Sequence, residues 1–148
     1  MPYAGPTAEI AVIGGSGFYA FLDDPHGQRV STPYGEVDVT TGDVAGRTVA
    51  FLPRHGAQHE HPPHRINYRA NIWALRVVGV RQVLAPCAVG SLRPDLPPGS
   101  LVLPDQLVDR TSGRIQTYVD EGAMHVPFAD PYCARITEHV RTTEPDVV

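Results

Sequence analysis

Apolar and polar positions divide the chain into short runs separated by glycine and proline. Residues 9–14, Glu-Ile-Ala-Val-Ile-Gly, form a brief apolar run that ends in Gly14-Gly15-Ser16-Gly17, the pattern of a buried strand feeding a tight turn. β-prone runs at 37–41 and 47–52 flank Gly42-Asp43-Val44-Ala45-Gly46, which predicts a hairpin, and the second run stops at Pro53. Over 66–78, Ile66, Ala70, Trp73, Ala74 and Val77 recur at helical spacing, with Gly79 as the stop. Arg65, Arg69 and Arg76 share another strip of this helix, while Ile72, Leu75 and Val78 leave little polar surface elsewhere, so cover on more than one side is expected. Residues 81–85 and 100–103 predict two more strands, 132–140 a second helix, and Val147-Val148 the start of a further strand. Strand, helix, strand in this order points to an α/β fold, a largely parallel or mixed sheet flanked by helices.

The glycine turn invites a different conclusion. Gly15-Ser16-Gly17-Phe18-Tyr19-Ala20 fits the dinucleotide pattern G-x-G-x-x-A, and Glu36 lies about 20 residues on, where a ribose-binding acid would stand. A dinucleotide fold needs a crossover helix directly after the glycines, and Asp23-Asp24-Pro25-His26-Gly27 breaks any helix there. Two alternatives remain: a turn that only requires glycine backbone freedom, or a nest of backbone N–H groups that, with the Ser16 hydroxyl, grips a phosphate.

Composition narrows the ligand. The 148 residues are 42% hydrophobic without a long apolar run, which fits a globular domain with its own core and no membrane span. The N-terminus lacks the charged start and apolar stretch of a secretory signal, so the cytoplasm is expected. Cys87 and Cys133 form no CxxC pair and read as reduced thiols. A formal charge of −4 argues against a nucleic-acid partner. All twelve basic residues are arginine, which excludes a P-loop lysine and Schiff-base chemistry on this chain. Any cation offered to an anion is therefore arginine or protonated histidine.

Arg54-His55-Gly56 follows the apolar run that stops at Pro53, and in open α/β sheets ligands sit beyond strand ends. Arg54 brings a planar fork for two phosphate oxygens and His55 a group that changes charge near neutrality. The plainer alternative is a solvated pair. His55, His59, His61 and His64 fall within ten residues, yet their spacing lacks the pairs and helical i, i+4 geometry of zinc sites, so no metal is expected and the segment reads as an ordered loop over a ligand.

Six segments together resemble the methylthioadenosine phosphorylases: Gly14-Gly15-Ser16-Gly17, Thr32-Pro33-Tyr34-Gly35, Arg54-His55-Gly56, the stretch Ile66 to Leu75, Ala88-Val89-Gly90-Ser91-Leu92, and Asp105 to Thr111. The Asn-Tyr-x-Ala-Asn-Ile-Trp-Ala-Leu helix favours this branch over ordinary purine nucleoside phosphorylases. The resemblance implies the three-layer phosphorylase fold, truncated after about half the family's length, with residues 1–148 as the N-terminal part of a single domain without an internal boundary. It implies phosphorolysis of a purine nucleoside, foremost 5′-methylthioadenosine, in a homotrimer, with inorganic phosphate as co-substrate and no cofactor. Ser16, Arg54, His55, Cys87 and Ala88 match phosphate-contacting positions, Ala88 also touching ribose. Many relatives carry threonine where this chain has Cys87, which removes a hydroxyl donor. His125-Val126-Pro127 resembles a stretch reaching into a neighbouring subunit's sugar pocket. The leaving-group acid belongs to the absent half, so none is assigned here and the chain alone is expected to be inactive. Two alternatives stay open: a 6-oxopurine or methylthioinosine substrate, and a non-catalytic phosphate- or nucleoside-binding half that needs a partner chain.

Overall fold

The computed structural model describes residues 3–15 and 21–148. The chain forms two compact units, residues 1–88 and 89–148.

The first unit is a five-stranded mixed sheet with one helix against it. Its strands are β1 (Ile10–Gly14), β2 (Asp23–Thr32), β3 (Gly35–Val44), β4 (Arg47–Pro53) and β5 (Gln82–Leu84), in the order β2-β3-β4-β1-β5. β2, β3 and β4 are an antiparallel meander, whereas β1 runs parallel to both β4 and β5. The helix α1 (Tyr68–Val78) carries the chain from β4 to β5, on the far side of β1.

Two elements differ from expectation. The segment from Asp23 that breaks a helix is a ten-residue strand, β2. Its Asp-Asp-Pro-His-Gly start has low β propensity and is tolerated because β2 is an edge strand, with a register shift between Asp23 and His26 accommodating Pro25. β3 also runs through Gly42, Asp43 and Val44, leaving a two-residue turn. Ala45 and Gly46 both take positive φ, 52° and 77°, the twist that suits a tight hairpin, and the Asp43 carboxylate accepts from the Gly46 amide at 2.8 Å.

α1 packs on the face formed by β2, β3 and β4. Ala70, Ala74, Leu75 and Val78 are buried against a core that includes Ala11, Val30, Val37, Val39, Ala50 and Leu52. Full burial of side chains such as Leu52 and Leu75 contributes about 1.5–3 kcal/mol each. Of the predicted stripe Ala70 and Ala74 are buried but Trp73 is 40% exposed, while Leu75 and Val78 from the adjoining strip are buried and Ile72 is 47% exposed, so the buried face is rotated from the one the periodicity marks.

The start of α1 is fixed by one side chain. Ile66 and Asn67 are not helical, and the Asn67 carboxamide oxygen accepts from the Ala70 amide at 3.1 Å as an N-cap. Its Nδ2 donates to the Tyr34 carbonyl at 2.7 Å, in the tight turn between β2 and β3. The Arg69 guanidinium lies 4.5 Å from the Tyr34 ring centre, and Trp73 meets the same ring edge-on at 5.6 Å. Gly79, at φ 102°, ends the helix as the sequence predicts.

The second unit is mostly irregular, with one helix, α2 (Ala134–Thr143). No strand is assigned at 100–103; the Val148 amide donates to the Leu101 carbonyl at 3.0 Å and the Leu103 amide to the Val148 carbonyl at 2.8 Å, the bond pattern of a parallel pair. Leu92, Val108, Met124, Val126 and Phe128 stand exposed. No helix among the described residues is long and apolar enough to cross a membrane.

Replacing Asn67 by alanine removes both the cap and the tie to Tyr34, and is expected to lower unfolding free energy by about 0.5–2 kcal/mol in chemical denaturation. Asn67→Asp keeps the cap acceptor but not the donor, and should recover only part of the loss. An unchanged midpoint for Asn67→Ala would show that the carboxamide does not hold the helix.

Candidate active site at the carboxyl ends of the parallel strands

Parallel pairing directs the carboxyl ends of β4, β1 and β5 to one edge of the sheet. Gly14 is in register with Pro53, and the next bond, Arg54 amide to Gly14 carbonyl at 2.9 Å, carries the pairing one step further. Gly15 and Arg54 therefore leave the sheet side by side. On the other flank β5 ends at Leu84, in register with Val12, and continues as Ala85-Pro86-Cys87-Ala88. Pro86 has no amide hydrogen and cannot extend the ladder. Three chain segments thus reach the same edge, carrying Gly15, Arg54-His55 and Cys87-Ala88.

Arg54 is half-buried, and among the described residues its guanidinium has neither a carboxylate nor a hydrogen-bond partner. A Cβ at Gly15 would stand 3.5 Å from Arg54 Nη2, so the fork lies against the Gly15 backbone. An unpaired cation withdrawn from water is unfavourable unless an anion meets it.

His55 is held by its own loop. The His61 carbonyl lies 2.8 Å from His55 Nδ1, and because a carbonyl only accepts, Nδ1 carries the hydrogen. The His61 amide returns a bond to the His55 carbonyl at 2.9 Å, closing the loop. The His59 ring stacks on the His55 ring with centres 4.9 Å apart. The loop turns through positive φ at Gly56 (81°) and His59 (60°). Glu60 lies over Gly56, where a Cβ would otherwise be, and accepts from the Gln58 amide at 2.9 Å. Its own backbone amide and that of Gln58 hold its carboxyl below the usual range.

Of the residues singled out from the sequence, the structure brings Arg54 against Gly15 and places His55, Cys87 and Ala88 at the same sheet edge, the last two exposed. Ser16 lies outside the described residues. His125 belongs to the second unit, exposed in an irregular stretch. Glu36 sits on β3 opposite Ser31, 3.8 Å from Arg29, with no place in a nucleotide site. Among the described residues no three His, Cys, Asp or Glu side chains gather as a metal-ligand set. The parts that sequence reasoning missed are the His61 carbonyl and the Glu60 clasp. The density of histidines marked the loop, but backbone acceptors leave no mark in a sequence.

A guanidinium fork and an imidazole at the ends of parallel strands, with the Gly15 backbone beside the fork, are groups able to bind a tetrahedral oxyanion. Residues 9–147 match the phosphorylase superfamily. The chain belongs to that family. It is 63% identical over 127 residues to S-methyl-5′-thioadenosine phosphorylase of Mycolicibacterium smegmatis, covering 84% of this chain and 49% of that protein. It is 61% identical to purine nucleoside phosphorylase of Streptomyces coelicolor, covering 85% and 49%. A solved methylthioadenosine phosphorylase from an antarctic soil metagenomic library superposes with TM-score 0.87 at 43% identity, over 93% of this chain and 50% of that one. The chain spans about half the length of the curated relatives it matches. The five-stranded mixed sheet with its helix matches the nucleoside phosphorylase fold, of which the whole chain spans about half.

Two glycines test the loop around His55. Gly56 and Gly46 both have left-handed φ, but a Cβ at Gly46 meets nothing within 4 Å, whereas one at Gly56 meets the Glu60 carboxylate. Gly46→Ala should cost about 1–2 kcal/mol from backbone strain alone. Gly56→Ala should cost more in thermal or chemical unfolding, and Glu60→Ala in the same chain should narrow the gap. Equal losses at both glycines would mean that the clasp does not form.

Proposed function

We propose that this chain is the phosphate-binding part of a purine nucleoside phosphorylase, with 5′-methylthioadenosine as the foremost substrate. The observation that carries the proposal is the half-buried Arg54, packed on Gly15 without a carboxylate partner, at the edge where β1, β4 and β5 end. Family membership and the names of its relatives support the same chemistry. Near-equal identity to relatives named for methylthioadenosine and for purine nucleosides keeps a 6-oxopurine or methylthioinosine substrate as the second reading.

In this proposal Ser16, Arg54, His55, Cys87 and Ala88 surround phosphate, Ala88 also meets ribose, and His125 meets the sugar's 5′ end in a neighbouring subunit of a homotrimer. As the C1′–N9 bond breaks, positive charge develops on the ribose, as in glycoside hydrolysis. The bound phosphate stabilises that charge and donates an oxygen lone pair to C1′, while the purine leaves with the bond's electron pair and takes up a proton. The products are free purine and a (5-methylthio)ribose 1-phosphate. No cofactor takes part.

The proposal treats both compact units as parts of one domain completed by residues outside this chain. The exposed apolar side chains of the second unit fit that reading. Free Cys87 and Cys133 fit a cytoplasmic setting. The leaving-group acid lies outside these residues, so the chain alone should not turn over methylthioadenosine, since general acid assistance supplies about 10²–10⁴-fold.

In the complete enzyme, nucleoside cleavage should require inorganic phosphate and release sugar phosphate. Arg54→Ala should weaken phosphate use by about 10- to 150-fold, from loss of a charge-assisted contact of about 1.5–3 kcal/mol, with much less effect on nucleoside binding. Arg54→Lys should restore only part, because a point charge does not reproduce the fork. Equal turnover without phosphate, or an unchanged phosphate KM in both variants, would overturn the proposal.

A further inference from the structure

We propose that residues 3–8 are a strap that opens while the rest of the sheet stays folded, releasing the edge strand β2 as it goes. The opening is separate from the anion site, because it leaves the pairing of β1 with β4 and β5 in place.

α1 is too short to cover the meander. Its 11 residues span about 16 Å, whereas the ten-residue strands β2 and β3 each run about 33 Å. The helix is tied through Asn67 to the Tyr34 end of the meander and stops at Gly79, beside Thr7 and the Ala8 carbonyl. The segment before β1 continues the cover from there. Ala8 is buried, and its amide donates to the Val78 carbonyl at 3.1 Å. Tyr3 packs against the core, and its hydroxyl donates to the Pro6 carbonyl at 2.6 Å, folding the strap on itself. Gly5 lies against Gln28 of β2: a Cβ there would collide with the Gln28 carboxamide oxygen and stand 2.8 Å from the Tyr3 hydroxyl oxygen.

Three features make this cover easy to lose. Ala4, Pro6 and Thr7 are exposed, so little apolar surface beyond Tyr3 and Ala8 holds the strap down. Gln28 pairs with Val39, and Thr41 is the next β3 residue on that face. Thr41 is 1% exposed and its hydroxyl has no hydrogen-bond partner among the described residues, so cover of this face withholds water from a group that needs it, which works against docking. β2 itself is an edge strand with a register shift between Asp23 and His26 and a start of low strand propensity. Thin apolar cover and a poorly held edge mark a segment that opens below the free energy of global unfolding. β1 is paired on both sides, and Ala8 is anchored to Val78, so the opening runs from Tyr3 toward Ala8 and takes β2 rather than β1.

The test is native-state amide hydrogen exchange of the 148-residue chain, followed by NMR over a series of low denaturant concentrations. The β2 amides that bond to β3 should exchange about tenfold or more faster than those of β4, with a weaker denaturant dependence, because a local opening exposes less surface. Gly5→Ala, which crowds the docked strap, should speed β2 exchange further. Thr41→Val, which removes the unpaired hydroxyl with little change of shape, should slow it by about five- to a hundredfold. Exchange of β2 and β4 with the same free energy and the same denaturant dependence would show that the strap opens only with the whole sheet, and would overturn the proposal. So would β2 exchange left unchanged by either substitution.

Discussion

The pairing of β1 with β4 sets Arg54 beside Gly15 at the candidate site. Gly14 opposite Pro53, followed by the Arg54 amide on the Gly14 carbonyl, makes two segments far apart in sequence leave the sheet as neighbours. β4 is buried on both faces, so a register slip of one residue would exchange Ala50 and Leu52 of the core for the larger or differently shaped Val49 and Phe51. The core enforces the alignment: Ala11, Ala50 and Leu52 are all buried under α1 or its neighbours. Packing energy in the sheet is thereby converted into placement of a guanidinium against Gly15.

The helix that covers this core is anchored close to the other flank of the sheet. Asn67 both starts α1 and holds the β2–β3 turn, so the meander, the helix and the crossover to β5 are tied together by one carboxamide. β5 in turn brings Cys87 and Ala88 to the edge where β1 and β4 end. Rigid elements carry the segments, while the loop holding His55 keeps itself in shape through backbone bonds and the Glu60 clasp.

Much of this order was legible in the residues. The apolar run before Gly14, the stop at Pro53, and the stripe ending at Gly79 identified β1, β4 and α1 because strong periodicity and breakers coincide there. Arg54-His55 stood out through its position after a strand. β2 was not legible, since an edge strand tolerates Asp-Asp-Pro-His-Gly, whose local preferences argue against any strand. The run at 100–103 has residues that suit a strand, but a strand is defined by its pairing, and within residues 1–148 that pairing is with Val148. The tautomer of His55 depends on a carbonyl six residues away, which no side-chain pattern records.

The central claim is that the ends of β1, β4 and β5 form one oxyanion site within the first unit. Amide chemical shifts of the ¹⁵N-labelled 148-residue chain during titration with inorganic phosphate test it most directly. The account predicts that Gly15, Arg54, His55, Cys87 and Ala88 shift together along one saturable curve, with the Ala45-Gly46 turn unmoved. Shifts spread over the arginines of the surface without saturation, or none at these five residues, would contradict it.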